Sequence, residues 1–171
     1  MLTIRPEQPL DYSAISEVNN LAFGQENEPR LVEFLRRSPG FIPELSLVAV
    51  LENQVVGHIL FSPVVIETST GDSSILALAP MAVRPEFQNQ GIGSELVRQG
   101  LEACRRLGCR IVVVLGHSDF YPRFGFEPAR PKGVSAPFPV SDEHWMVIEL
   151  HPGALSGVQG TVRFPPAFDD V

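Results

Sequence analysis

The chain opens on a short alternation, Leu2-Thr3-Ile4-Arg5, which predicts an edge strand. From Asp11 to Phe23 the apolar residues Ile15, Val18, Leu21 and Ala22 return at helical spacing, with Asp11 placed as a cap. Leu31, Phe34 and Leu35 form the stripe of a second helix, Glu28 to Arg37, which Ser38-Pro39-Gly40 ends. Two β-rich runs, Leu45 to Leu51 and Val55 to Ile66, flank Glu52-Asn53-Gln54 and predict a hairpin. After a turn at Gly71-Asp72, Ser74 to Val83 reads as the next strand. Pro80 falls inside it, and since proline cannot donate to a ladder it marks a bulge or an edge.

The strongest periodicity runs from Gln90 to Leu107. Ile92, Leu96, Val97, Leu101, Cys104 and Leu107 make one apolar face, while Glu95, Arg98, Glu102 and Arg105 point away. Gly108 is placed to cap this helix. Arg110 to Gly116 is continuously apolar at its centre, as expected of a strand buried on both faces. Trp145 to Leu150 is a further strand, and Gly160 to Phe164 has β character before Pro165-Pro166 breaks it. These elements predict one α+β domain over residues 1–151: a mixed, mostly antiparallel, twisted sheet with helices on both faces. Residues 152–171 are an extension packed on the same domain.

A chain of 171 residues with 44% hydrophobic content suits a single domain with a real core. A net charge of −7 argues against nucleic acid as the main partner. No run of 18 apolar residues suggests a membrane span, and the first residues do not resemble a signal peptide. The expectation is a cytoplasmic protein whose two cysteines, Cys104 and Cys109, are reduced thiols. Those two residues and four scattered histidines do not make a metal site.

One loop carries chemistry. Between a strand and the strongest helix stands Gln88-Asn89-Gln90-Gly91-Ile92-Gly93. A glycine-rich turn opening a helix aims free N–H groups and the positive helix end at one point, and so suits a phosphate. A nucleoside-triphosphate loop would need Lys-Ser/Thr after the second glycine, which is absent. A dinucleotide fingerprint would need a third small residue where Leu96 stands. The remaining pattern, Gln/Arg-x-x-Gly-x-Gly/Ala, is matched in full. It resembles the loop of the GNAT superfamily of acyl-CoA N-acyltransferases. Val83-Arg84-Pro85 before the loop and Tyr121-Pro122-Arg123-Phe124-Gly125-Phe126 after it also resemble that family's motifs, in the same order. The extension is similar to that of a subgroup of predicted bacterial N-acetyltransferases.

The resemblance implies a GNAT-like three-layer fold and an N-acetyltransferase that passes an acetyl group from acetyl-CoA, its cosubstrate, to a primary amine by direct attack. Gln88, Asn89, Gln90, Gly91, Ile92, Gly93 and Ser94 would grip the diphosphate with main-chain amides. Met81, Ala82 and Val83 would pair with the pantetheine arm as an added strand does. Tyr121 matches the family's tyrosine and is the expected general acid, since a phenol is protonated at pH 7. Many family members carry an asparagine about seven residues earlier. Here that position is Val114, so His117 or Ser118 takes the polar contact, or nothing does. His117 is also the candidate base, because an imidazole can accept a proton near neutral pH; bound water is the alternative. The partners expected are a small-molecule or peptide amine and, from the apolar residues Gly160 to Phe168, a second copy of the chain in a homodimer. A non-catalytic acyl-CoA-binding or sensing module on the same fold would share the loop and is the rival reading.

Overall fold

A computed structural model describes residues 1–169. The strands are β1 (Leu2–Pro6), β2 (Ser46–Leu51), β3 (Gln54–Thr68), β4 (Gly71–Val83), β5 (Ile111–Leu115), β6 (Glu127–Pro128), β7 (Val134–Ser135), β8 (Trp145–Glu149) and β9 (Gly160–Arg163). The helices are α1 (Tyr12–Phe23), α2 (Asn27–Arg36) and α3 (Ile92–Arg106). Together they form a mixed, mostly antiparallel open sheet, hydrogen-bonded in the order β1-β2-β3-β4-β5-β8-β6, with β1 at one edge as its alternating sequence predicts. The chain divides into two compact units, and β3 and β4 run through both.

The first unit holds residues up to Ser62, Ala79 to Ala103, and the chain from Pro166. Here β1, β2 and the first half of β3 pair antiparallel. The pairing slips opposite Ala49 and Val50, which sets Val55 on the same face of β3 as Leu60. That face meets Ile15 and Val18 of α1 and Leu31, Val32 and Leu35 of α2. The opposite face takes α3. An added Cβ on Gly57 would stand 3.0 Å from Leu96, and one on Gly100 only 2.4 Å from the Phe61 ring. Gly100 is therefore a helix-weakening residue kept for close approach to β3. Leu107, assigned above to the apolar face, lies past the last helical residue and is exposed. Its backbone belongs to the cap, so the helical period no longer governs its side chain.

A buried polar chain ties α1 and α2 to the sheet. Arg36 of α2 donates to both carboxylate oxygens of Glu7 at 2.7 and 3.1 Å. The Ser46 hydroxyl donates to Glu7 Oε1 at 2.5 Å and faces His58 Nε2 at 3.0 Å. Asn19 of α1 donates to the Ile15 carbonyl and faces His58 Nδ1 at 3.3 Å. One arrangement satisfies both ring nitrogens: Nδ1 accepts from Asn19 and Nε2–H donates to Ser46, which is a neutral imidazole. Burial pushes the His58 pKa down to about 4, against the opposing pull of Glu7. The unfolded value is near 6.5, so between these pH values the unfolded chain binds the proton and the folded chain does not. The stability is complete above pH 6.5 and drains away as the pH falls toward 4, by roughly 3 kcal/mol. Urea midpoints at pH 7 and 4.5 should show this loss, and His58→Gln should flatten it; an unchanged slope in that variant would remove His58 as its source.

The second unit comprises Pro63 to Leu78 and Cys104 to Pro165. Its core joins Val64, Ile66, Ile75, Ile111, Val113 and Val147 around the buried Trp145, whose indole N–H donates to the Val134 carbonyl at 3.1 Å. β4 and β5 are parallel, and their ladder covers only Leu76–Val112 and Ala77–Val113. β5 pairs antiparallel with β8 along its whole length; its first four residues are buried as the apolar run predicts, and Leu115 at its end is exposed. Pro80 lies within β4, beyond that ladder. The extension is divided between the units. β9 pairs with the outer half of β3 and with β7, and Phe164 packs near Trp145. Ala167 and Phe168 pack on the α1–α2 cluster. Within this apolar tail Val162 is buried, while Phe164, Ala167 and Phe168 are partly buried against their own chain.

Candidate functional site

In the first unit the sequence between β4 and α3 folds into a tight anion-ready loop. Arg84 N–H donates to Val56 O at 2.8 Å, and Pro85–Phe87 makes a single 3-10 turn. The Gln88 side chain reaches back to the Val83 carbonyl at 3.0 Å, closing the loop on the end of β4. Asn89 and Gly91 then take left-handed conformations, φ 63° and 85°. Gly91 accepts the first helical bond, from Glu95 N–H at 3.1 Å, so it caps α3. The N–H groups of Ile92, Gly93 and Ser94 fall in the first turn, where a helix supplies them no carbonyl. Open space surrounds the Gly91 Cβ position. The loop fits a diphosphate: it offers donors, a positive helix end and no side chain in the way.

Two features add to the sequence reading. Gln88 contributes through its side chain as a brace. The Val83 carbonyl is engaged by that brace. Arg84 was not singled out by its sequence context. Its guanidinium donates to Glu17 of α1 at 3.0 Å and lies 3.9 Å from Glu86, with a buried Nε that lacks a hydrogen-bond partner among the described residues. It anchors the loop's first residues to α1. The only sequence signal was an arginine between Val83 and Pro85.

In the second unit, Tyr121 begins a 3-10 turn that Gly125 ends at φ 105°. Its ring meets Phe120 and Phe126 edge-on, with centroids 5.0 and 5.6 Å away. Gly116, just past β5, lies so close that a Cβ there would stand 2.3 Å from the ring. The residue is 7% exposed, and burial pushes the phenol up to about 12. It is a neutral, held proton donor. His117 is exposed and gives its carbonyl to the N–H groups of Phe120 and Tyr121, so its backbone shapes the turn. Ser118 is exposed and Val114 is buried in β5. The histidine that sequence reasoning passed over is His144, whose Nδ1 sits 3.2 Å from the Gly116 carbonyl. Antiparallel pairing of β5 and β8 brings it there, and that pairing was not readable at residue 144. Among the described residues no group of three or more His, Cys, Asp or Glu is arranged to hold a metal. Nor is any described helix long and apolar enough to cross a membrane.

The chain and its fold have known relatives. The model of the acetyltransferase (GNAT) family matches residues 13–126. The chain is 44% identical over 153 residues to the uncharacterized N-acetyltransferase YjhQ of Escherichia coli K12, covering 86% of this chain and 84% of that protein. It is 35% identical over 169 residues to the uncharacterized N-acetyltransferase YhbS of the same organism, covering 98% and 99%. The crystal structure of Escherichia coli YhbS in complex with CoA superposes with a TM-score of 0.90 at 32% identity, covering 98% of this chain and 92% of that one. A Brucella melitensis GNAT family acetyltransferase in complex with acetyl-CoA gives 0.81 at 33% identity, with 99% of each chain covered.

Proposed function

This chain belongs to the GNAT family of acetyltransferases, and on that premise we propose that it transfers an acetyl group from acetyl-CoA to a primary amine by direct attack. The observation that carries the reading is the loop at Gly91: a left-handed cap with open space about its Cβ position, opening a helix whose first N–H groups have no carbonyl partner within the helix. Acetyl-CoA supplies the acetyl group as a thioester, which a neutral amine can attack. The main chain from Gln88 to Ser94 holds the diphosphate, and Gln88 keeps that loop shut through Val83. Main-chain groups of Met81, Ala82 and Val83 orient the pantetheine arm, on the part of β4 that runs on past its β5 ladder. Holding the reacting groups in place supplies much of the acceleration.

Tyr121 donates its phenolic proton to the leaving sulfur. The amine must lose a proton as well. His117 at the exposed turn is the side-chain candidate for accepting it, and a water chain to solvent is the alternative. The relatives in complex with CoA and acetyl-CoA support the cosubstrate. The test is release of CoA thiol from acetyl-CoA across a panel of small amines, aminoglycosides and peptide N-termini. A primary amine should accelerate release well above hydrolysis, with the acetylated amine seen by mass. A panel that binds nowhere and releases no thiol, beside tight acetyl-CoA binding, would favour the sensing module.

A further inference from the structure

The end of α3 brings two thiols together. Gly108, at φ 81°, donates its N–H to the Arg105 carbonyl at 3.0 Å, and Cys109 N–H donates to the Cys104 carbonyl at 3.0 Å. These are the two nested bonds of a Schellman cap, in which the side chains at the positions of Cys104 and Cys109 approach one another. The second bond also bounds their separation. An N–Cα bond of about 1.46 Å and a Cα-to-oxygen span of about 2.4 Å, laid end to end with the hydrogen bond, reach just under ~7 Å. Bond angles shorten the real path, so the α-carbons lie within the range that a disulfide can join. Both thiols are free; Cys104 is buried and Cys109 is partly exposed. Burial and then the neighbouring Cys109 hold the Cys104 thiol up at about 12, as expected of two thiols that feel each other's charge.

We propose that Cys104 and Cys109 are a redox pair that closes a reversible intramolecular disulfide across the C-terminal cap of α3. The oxidant is a low-molecular-weight disulfide such as oxidised glutathione. The Cys109 thiolate attacks one of its sulfurs, the glutathione S–S bond breaks and one glutathione thiolate leaves. Cys104 then gives its proton to solvent and attacks the Cys109 sulfur, expelling the second glutathione. The two cysteine sulfurs lose two electrons, and glutathione disulfide becomes two thiols. The protonated state of both residues makes the exchange slow. It does not set its end point, which follows the potential of the pair. The same protonation keeps both residues out of acyl transfer, so the pair serves a purpose separate from the acetyl-CoA chemistry.

The full chain is equilibrated at pH 8 in glutathione buffers of rising disulfide content, quenched in acid, alkylated after denaturation and digested with trypsin. Cleavage after Arg98, Arg105, Arg106 and Arg110 separates the two cysteines. The expected product is therefore the peptide Gln99–Arg105 joined to Leu107–Arg110, with both alkylatable thiols vanishing together. Cys104→Ser should instead collect a glutathione adduct on Cys109, and Cys109→Ser should keep its buried thiol at every ratio. Three results overturn the proposal: both thiols surviving the most oxidising buffer, a stable Cys109 adduct beside an alkylatable Cys104 in the unaltered chain, or a disulfide between two chains.

Discussion

Replacing Tyr121 with phenylalanine should lower turnover by about 10²–10⁴-fold and leave acetyl-CoA affinity nearly unchanged. The reason lies in what the substitution keeps. The ring still fills the space against Gly116 and still meets Phe120 and Phe126 edge-on, so the turn at residues 121–124 holds its shape. Only the proton donor is lost. Because burial holds that phenol near 12, it stays protonated across the working pH range and can give its proton only as charge grows on the leaving sulfur. The loss should therefore fall on kcat rather than KM. Wild type should show no decline from this group until the pH approaches 12. A variant that matches wild type at every pH would make Tyr121 a packing residue, with the proton coming from water. If neither protein turns over any amine while both bind acetyl-CoA, the binding-module reading replaces the enzyme.

The second large effect is expected at Gly91. Aspartate there should abolish acetyl-CoA binding, from a micromolar affinity, roughly 8 kcal/mol, to nothing calorimetry detects. Aspartate is among the better helix caps and tolerates left-handed backbone better than most residues, so folding should survive at a cost of about 1 kcal/mol. No neighbouring atom obstructs the added carbon. What changes is the ligand: the carboxylate turns onto the N–H groups of the first turn of α3 and puts negative charge where a diphosphate would lie. Gly91→Ala carries only the backbone strain of φ 85° and should weaken binding far less. Equal binding by the aspartate variant would move the diphosphate away from this loop. A thermal midpoint close to wild type in both variants would separate lost binding from misfolding.

The parts legible in the sequence were those where one physical rule acts over many residues. The α3 stripe is such a case, since a 15-residue helix shows its period several times over. The glycine loop was legible for a different reason: its residues answer to backbone shape, and only glycine takes a φ of 85° at so little cost. The rest needed tertiary contacts. β6 and β7 are two residues long and exist only through their partners β8 and β9. His58 reads as one polar residue in an apolar strand, and nothing local says that Ser46, Glu7, Asn19 and Arg36 will gather round it. Arg84 is silent for the same reason, because Glu17 lies 67 positions away. His117 went the other way. It was placed correctly at the strand end, but a turn that uses its carbonyl leaves its ring in solvent.

The seat of β9 has a consequence for how the chain comes off the ribosome. Val65 to Thr68 of β3 take their outer partners from residues 160–163, and the ion pair between Glu67 and Arg163 spans 96 positions. Until residues 160–163 have been made, this edge lacks its outer partners and exposes a row of unpaired amides and carbonyls. Such an edge is the kind that recruits a strand from another nascent chain. Gly160 is what lets β9 seat there: on its native backbone any side chain at that position would strike the Glu67 carbonyl.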